Sequence, residues 1–259
     1  GLGDVYKRQA VGRYVVECAQ KILDEQNRML LTMKEVTGGN RKAIRLATAP
    51  NRGAIIFSRI YNQFSRRYPD ISLSLTELYA AEQPGAIARG LVDLALGAGA
   101  TSSEITDIPI AHEELLVSLP ASHPLAKQET IHLADLRDTP FVLQGPRHSI
   151  RLIAEQLFQQ AGFQPVVAFE SNDVILLDSM MHQAVGVGLV SNAHVFPCSE
   201  LAYRPLNPPV HQTLHLRFPL GHTLTEPERY LAGLLITERL RDPRYKPTDD
   251  PLVDQLPVS

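Results

Sequence analysis

Three polar clusters in this 259-residue sequence carry side chains of the types that chemistry uses, and each adjoins an apolar run. Pro50-Asn51-Arg52 follows AIRLATA, Gln144-Gly145-Pro146-Arg147-His148-Ser149 follows PFVL, and His112-Glu113-Glu114 precedes LLVSLP. His148 and Ser149 have the types of a general base and a nucleophile. Adjacent residues at a helix start do not face each other, however, and no G-x-S-x-G elbow is present, so catalysis is not expected. His112-Glu113-Glu114 has no second ligand set at metal spacing and reads as a surface turn, with no metal implied. GVGLVS (186 to 191) lacks the third glycine of a dinucleotide fingerprint, and no cofactor is expected. What remains is a set of amides, hydroxyls and guanidinium groups near strand ends.

The elements that would position them alternate between strand and helix. AIRLATA (43 to 49), ISLSLTEL (71 to 78) and LVDLALGAG (91 to 99) read as strands, separated by a helix entered at Pro50-Asn51 and a short one near 81 to 90. A second set begins at PFVLQ (140 to 144) and continues through a helix from about 147 to 161, VVAFE (166 to 170), a helix from about 173 to 183, and GVGLVS. This order predicts parallel sheets with right-handed crossovers. TLHLRFP (213 to 219) and the helix PERYLAGLLITERL (227 to 240) return to the first half. The fold class is thus α/β, two Rossmann-like lobes in a clamshell, crossed near 115 to 120 and 203 to 210. Lobe I is expected over about 41–116 and 206–241, and lobe II over about 117–205.

In such sheets ligands sit beyond the carboxyl ends of strands, where helix N-termini present free N–H groups. For the first lobe this selects Pro50, Asn51 and Arg52, with Gly99, Ala100 and Thr101 after the third strand. For the second it selects Gln144, Gly145, Arg147, His148 and Ser149, with Ser171, Asn172 and Ser191 at later strand ends. Each has a structural alternative: Asn51 as a helix cap, Gln144 as a turn closure, Ser191 as a cap, and Arg52 and Arg147 as solvated charges.

Ahead of the lobes a long helix is expected from about Val11 to Val36. Val11, Val15, Cys18 and Ile22 step by four and three, and Met29, Met33 and Val36 resume the stripe. It suits packing on its own domain or a narrow seam against a partner helix. Thr37-Gly38-Gly39-Asn40 stops it and supplies a hinge, so 10–40 reads as linker. Prolines at 243, 247, 251 and 257 mark 242–259 as a flexible tail. A hydrophobic content of 44%, a net charge of −3 and a pI near 6.3 give no global footprint for nucleic acid. No stretch has a signal peptide's apolar core or a membrane span's length, and two distant cysteines suit a reducing compartment, so the reading is soluble and cytoplasmic.

Taken in order, AVGRYVVECAQKIL, IRLATAP, FSRRYPDISLSL, GLVDLALGAG, LPASHPLA, LADLRDTPFVLQGPRHSIR, VGVGLVSNA and LHLRFP resemble the LysR-type transcriptional regulators across about residues 10 to 240. Each stretch alone is weakly specific; their order and spacing are what carry the resemblance. It implies a type II periplasmic-binding-protein-like clamshell that senses a small-molecule effector, often a carboxylate. It also implies a linker helix that pairs with a second subunit, and promoter DNA bound by a helix-turn-helix domain that should precede residue 10. Relatives commonly place a hydroxyl where Asn51 stands, which leaves the effector open. The nonamer GLGDVYKRQ (1–9) resembles a translated transposase end from sequencing-library preparation, a scar rather than native sequence. A solute-binding protein of a transport system shares the fold and is the alternative; an enzyme on this scaffold is a third.

Overall fold

The computed structural model describes residues 42–99, 101–195 and 199–240, the pair Lys246–Pro247, and scattered positions between 11 and 29. The elements run β1 (Lys42–Thr48), α1 (Arg52–Arg67), β2 (Ile71–Glu77), α2 (Gln83–Ala88), β3 (Leu94–Ala98) and β4 (Ile105–Pro120), and then β5 (Pro140–Gln144), α3 (Ser149–Gln160), β6 (Val166–Ser171) and α4 (Val174–His182). β7 (Gly188–Ser191), β8 (Leu201–Pro219), α5 (Glu226–Leu240) and the two-residue β9 (Lys246–Pro247) complete them.

In the first lobe β2, β1 and β3 are parallel, and β8 continues the sheet antiparallel to β3. Apolar side chains leave β1 on both faces: Ile44 and Leu46 join α1 and α5 in one core, while Ala47 meets Ala86 and Ile87 of α2 in another. β3 is buried at every residue, as a central strand covered on both faces must be. α1 contributes the fully buried Ile60 and Phe64 and ends at Tyr68, the residue before Pro69, where a helix cannot continue.

The second lobe repeats the plan. β5 pairs parallel with β6, and a bridge from Phe141 to Val187 brings in the strand that becomes β7. Phe141, Phe158 and Phe163 pack beneath α3, with the first two rings 4.9 Å apart and nearly perpendicular, an arrangement aromatic quadrupoles favour. Val142, Leu177 and Met181 fill the opposite face under α4.

The lobes share one structural member. β4 and β8 pair antiparallel from Ile105↔Pro219 to Pro120↔Leu201, so one long two-stranded ribbon of the larger sheet carries β3 beside β8 and β7 beside β4. One correction follows. The sheets are mixed rather than purely parallel, because TLHLRFP is the second half of β8 and runs against β3. Residues 115–120 and 203–210, where the crossings were expected, lie within the continuous strands β4 and β8, whose pairing shifts register after Pro109 and Leu115.

Described positions between 11 and 29 are helical, with Val11, Val15, Ile22 and Met29 all more than half exposed and Cys18 partly covered. Met33, Val36, the Thr37–Asn40 stop and residues 1–9 lie outside the described residues. So does the expected tail, apart from Lys246–Pro247, which pair with β4. Among the described residues no helix is long and apolar enough to cross a membrane.

Candidate functional site

Three neighbouring strands build the floor of the cleft. On β4 the inward-facing series runs Ala111, Glu113, Leu115, Val117 and Leu119, so period-two alternation carries a carboxylate into an apolar row. Gln212 of β8 is the cross-strand partner of Glu113, and Ser191 of β7 lies opposite Leu115. Glu113 has no exposed surface and receives Gln212 Nε2 at 2.7 Å and Ser191 Oγ at 3.0 Å.

The first turn of α1 completes this network. Arg52, 4% exposed, grips Glu113 with both terminal nitrogens, at 2.5 and 3.0 Å. Such a bidentate guanidinium–carboxylate pair is charge-assisted in both bonds. Burial of two opposite charges is tolerable here because Glu113 accepts from both terminal nitrogens of Arg52, from Gln212 and from Ser191. Ser149, from the start of α3, donates to Gln212 Oε1 at 3.1 Å and links the second lobe's helix to the same chain of bonds.

Over this floor lies a cleft of about 450 Å³, counting the space open to solvent at its mouth. Pro50, Arg52, Gln144, His148, Ser149 and Ser191, six of the residues expected from sequence, line it. Gln144 donates from its amide to Leu189 O at 3.1 Å, and Ser191 also accepts from Ala193 N as the expected cap. Burial, then the neighbouring positive Arg147, pushes the imidazole of His148 below its usual pKa, with the Asn172 backbone partly opposing. His148 Nε2 and Arg52 Nε are both buried without a protein partner.

The other expected residues stand at the mouth or away from it. Asn51 adopts a left-handed conformation (φ 65°) and makes no cap bond with its side chain. Instead its amide reaches Asn172 O across the lobes at 3.3 Å, and its N–H donates to Glu77. Arg147 points outward to Glu82 at 2.8 Å, with its guanidinium 4.3 Å from the ring of Tyr79, which itself stacks edge-on with His148. Gly145 packs against Asn172 so closely that a Cβ there would overlap its side chain. Gly99, at φ 106°, approaches Ser149, with room for contact but not in a conformation other residues adopt. Ser171 caps Asp173 N, Thr101 is exposed, and Ala100 lies outside the described residues.

Glu113 and Gln212 are the residues the sequence reading missed, and the surface-turn reading of His112-Glu113-Glu114 is wrong, since all three lie in β4 and Glu113 is buried. The alternation of Ala111, Leu115, Val117 and Leu119 was the available signal. Ala49, Ile150, Val174 and Val190 add apolar wall, and His194 a further imidazole. No group of metal-ligating side chains occurs among the described residues.

Comparison with known proteins agrees with this architecture. A transcriptional dual regulator, GltC of Bacillus subtilis, is 28% identical over 68% of the chain and 58% of its own length. The chain spans under three fifths of the length of this and of a probable RuBisCO transcriptional regulator from Trichormus variabilis, 25% identical over 71% of the chain. The BenM effector binding domain, solved with its effector benzoate, superposes with a TM-score of 0.67 at 21% identity, covering 81% of this chain and 96% of that one. At that identity the likeness shows the fold alone. The family model of the LysR substrate binding domain matches residues 37–238, and the chain belongs to that family.

Proposed function

We propose that this chain is the effector-sensing part of a LysR-type transcriptional regulator and that a small-molecule effector binds between its lobes. The observation that carries this reading is the cleft itself, lined by polar groups from both lobes and from the ribbon that joins them. A ligand that touches Arg52 on one side and Ser149 or His148 on the other makes contacts that depend on the lobe angle. Only such differential contact lets binding shift a two-state equilibrium. The exposed apolar series Val11, Val15, Ile22 and Met29, with Met33 and Val36 beyond it, would pack against the same helix of a second subunit. DNA binding would belong to a domain preceding this chain, and such a regulator acts in the cytoplasm.

Binding rather than catalysis is supported by how the hydroxyls are engaged. Ser149 donates to an amide oxygen and Ser191 to a carboxylate that is already gripped by arginine, so neither is activated by a free base. A thermal-shift screen of small polar molecules tests the reading: a true effector raises Tm, and Gln144→Ala weakens that response while leaving the unliganded Tm within a few degrees. A response unchanged in Gln144→Ala would remove the ligand from the cleft.

A further inference from the structure

Arg52 is the only lysine or arginine among the described residues that line the cleft, and its charge is already met. Both of its terminal nitrogens are committed to Glu113, which is wholly buried. To hand the guanidinium to a ligand acid, the site would have to leave Glu113 buried without the guanidinium that matches its charge. That is the costly half of breaking a buried ion pair. The cation at the mouth offers no substitute, since Arg147 is 63% exposed and engaged by Glu82 and the Tyr79 ring. The N-terminus of α1 also faces a protein carboxylate already, because Asn51 N–H donates to Glu77 at 2.9 Å.

What the cleft does hold unmatched is hydrogen-bonding capacity without net charge, since Glu113 balances the Arg52 guanidinium. Arg52 Nε–H is a buried donor with no protein acceptor, and His148 Nε2 is a second buried polar atom without a partner. Ala49, Pro50, Ile150, Val174 and Val190 supply apolar walls around them. Resting on the reading of this cleft as the effector site, we infer that it prefers an uncharged molecule with an apolar body, and a carbonyl or hydroxyl oxygen for Arg52, over a carboxylate. Amides, alcohols, esters and lactones fit that description. A ligand carboxylate would instead enter a floor whose charges cancel, and would lose its hydration without a cation in return.

Matched pairs of probes test this: benzoate against benzamide, and shikimate against its methyl ester, by thermal shift and calorimetric titration at about pH 8, where histidine is neutral. In the wild-type protein neither acid should stabilise more than its neutral partner. Glu113→Gln frees the guanidinium and should reverse the order, with an acid gaining at least about tenfold in apparent Kd over its partner. Gln212→Lys keeps a donor beside Glu113 while adding a cation, so it should bring the same reversal even if Glu113→Gln fails to fold. An acid that stabilises the wild type more than its partner, through a response lost in Gln144→Ala, overturns the preference but leaves the cleft reading standing. Responses that persist in Gln144→Ala for acid and neutral probes alike overturn the reading itself. Absence of any acid preference in the folded variants also overturns the preference, because an unmatched cation in that cleft must attract an anion.

Discussion

Arg217 and Arg52 are both buried against a carboxylate, and they are embedded differently. Arg217, with no exposed surface, donates to Asp107, to Gln83 and to the carbonyls of Ala80 and Gly99, all within the first lobe. It ties β8 to the turn before α2 and to the end of β3, so its work is to hold one lobe together. Arg52 has a single carboxylate partner on the joining ribbon and an unmatched Nε at the cleft. One arginine has its hydrogen bonds absorbed by the fold, and the other keeps capacity in reserve where the lobes meet. A buried ion pair is therefore read here by what remains unmatched, not by its distance.

The largest expected effect separates the two. Arg217→Met takes the guanidinium from Asp107, leaving it His215, and removes the donor to Gln83 and to two carbonyls, so unfolding should lose about 3 to 5 kcal/mol in denaturant titration. Arg52→Met should lose less, about 2 to 3 kcal/mol, because Glu113 keeps its bonds from Ser191 and Gln212. A loss at Arg52 equal to that at Arg217 would break the comparison, since it would make the cleft pair as structural as the other.

Acid sharpens the same contrast more gently. Burial alone would raise the carboxyl of Asp107, but His215, whose Nδ1 lies 2.9 Å away, and the Arg217 charge more than offset this and hold it below the usual range. A carboxyl depressed in the folded state contributes stability in full above its unfolded pKa and loses it as pH falls through the folded value. The Tm of the wild type should therefore drop below about pH 4, and Asp107→Asn should start lower at neutral pH and flatten that limb. A variant that kept the wild-type slope would assign the acid sensitivity elsewhere.

Much of the scaffold behind these pairs was legible because it is local. β3 and β5 are short apolar runs closed by glycine or proline, and α1 begins just after Pro50-Asn51 and stops before Pro69, so composition and period suffice. The ribbon was not legible in the same way. Residues 105 to 114 mix Pro109 with Asp107, His112 and Glu113, and their partners lie about a hundred residues later in β8. The pairing that buries Glu113 beside Gln212 is thus set by contacts distant in the chain. Strand ends placed Gln144, His148, Ser149 and Ser191 at the cleft, while the side chains of Arg147 and Asn51, chosen by the same rule, turn to partners at its mouth. Strand position fixes where a backbone ends; which way a long side chain turns depended on Glu82, Tyr79 and the carbonyl of Asn172.

The smallest effect concerns the cleft's second unmatched group. His148 is held below the ordinary histidine pKa first by burial and then by Arg147. A histidine depressed in the folded state leaves stability unaffected above its unfolded value near 6.5. As pH falls from there the unfolded chain takes up the proton first, so stability declines until the folded value is passed and then levels. NMR titration of the imidazole should give a midpoint below that of a free histidine. Arg147→Ala should move it upward by removing the adjacent charge, while costing less than about 1 kcal/mol of stability because the Glu82 pair is exposed. A midpoint that ignored Arg147 would leave desolvation alone in control. The cleft's polarity would then be fixed by its walls rather than by the charges at its mouth.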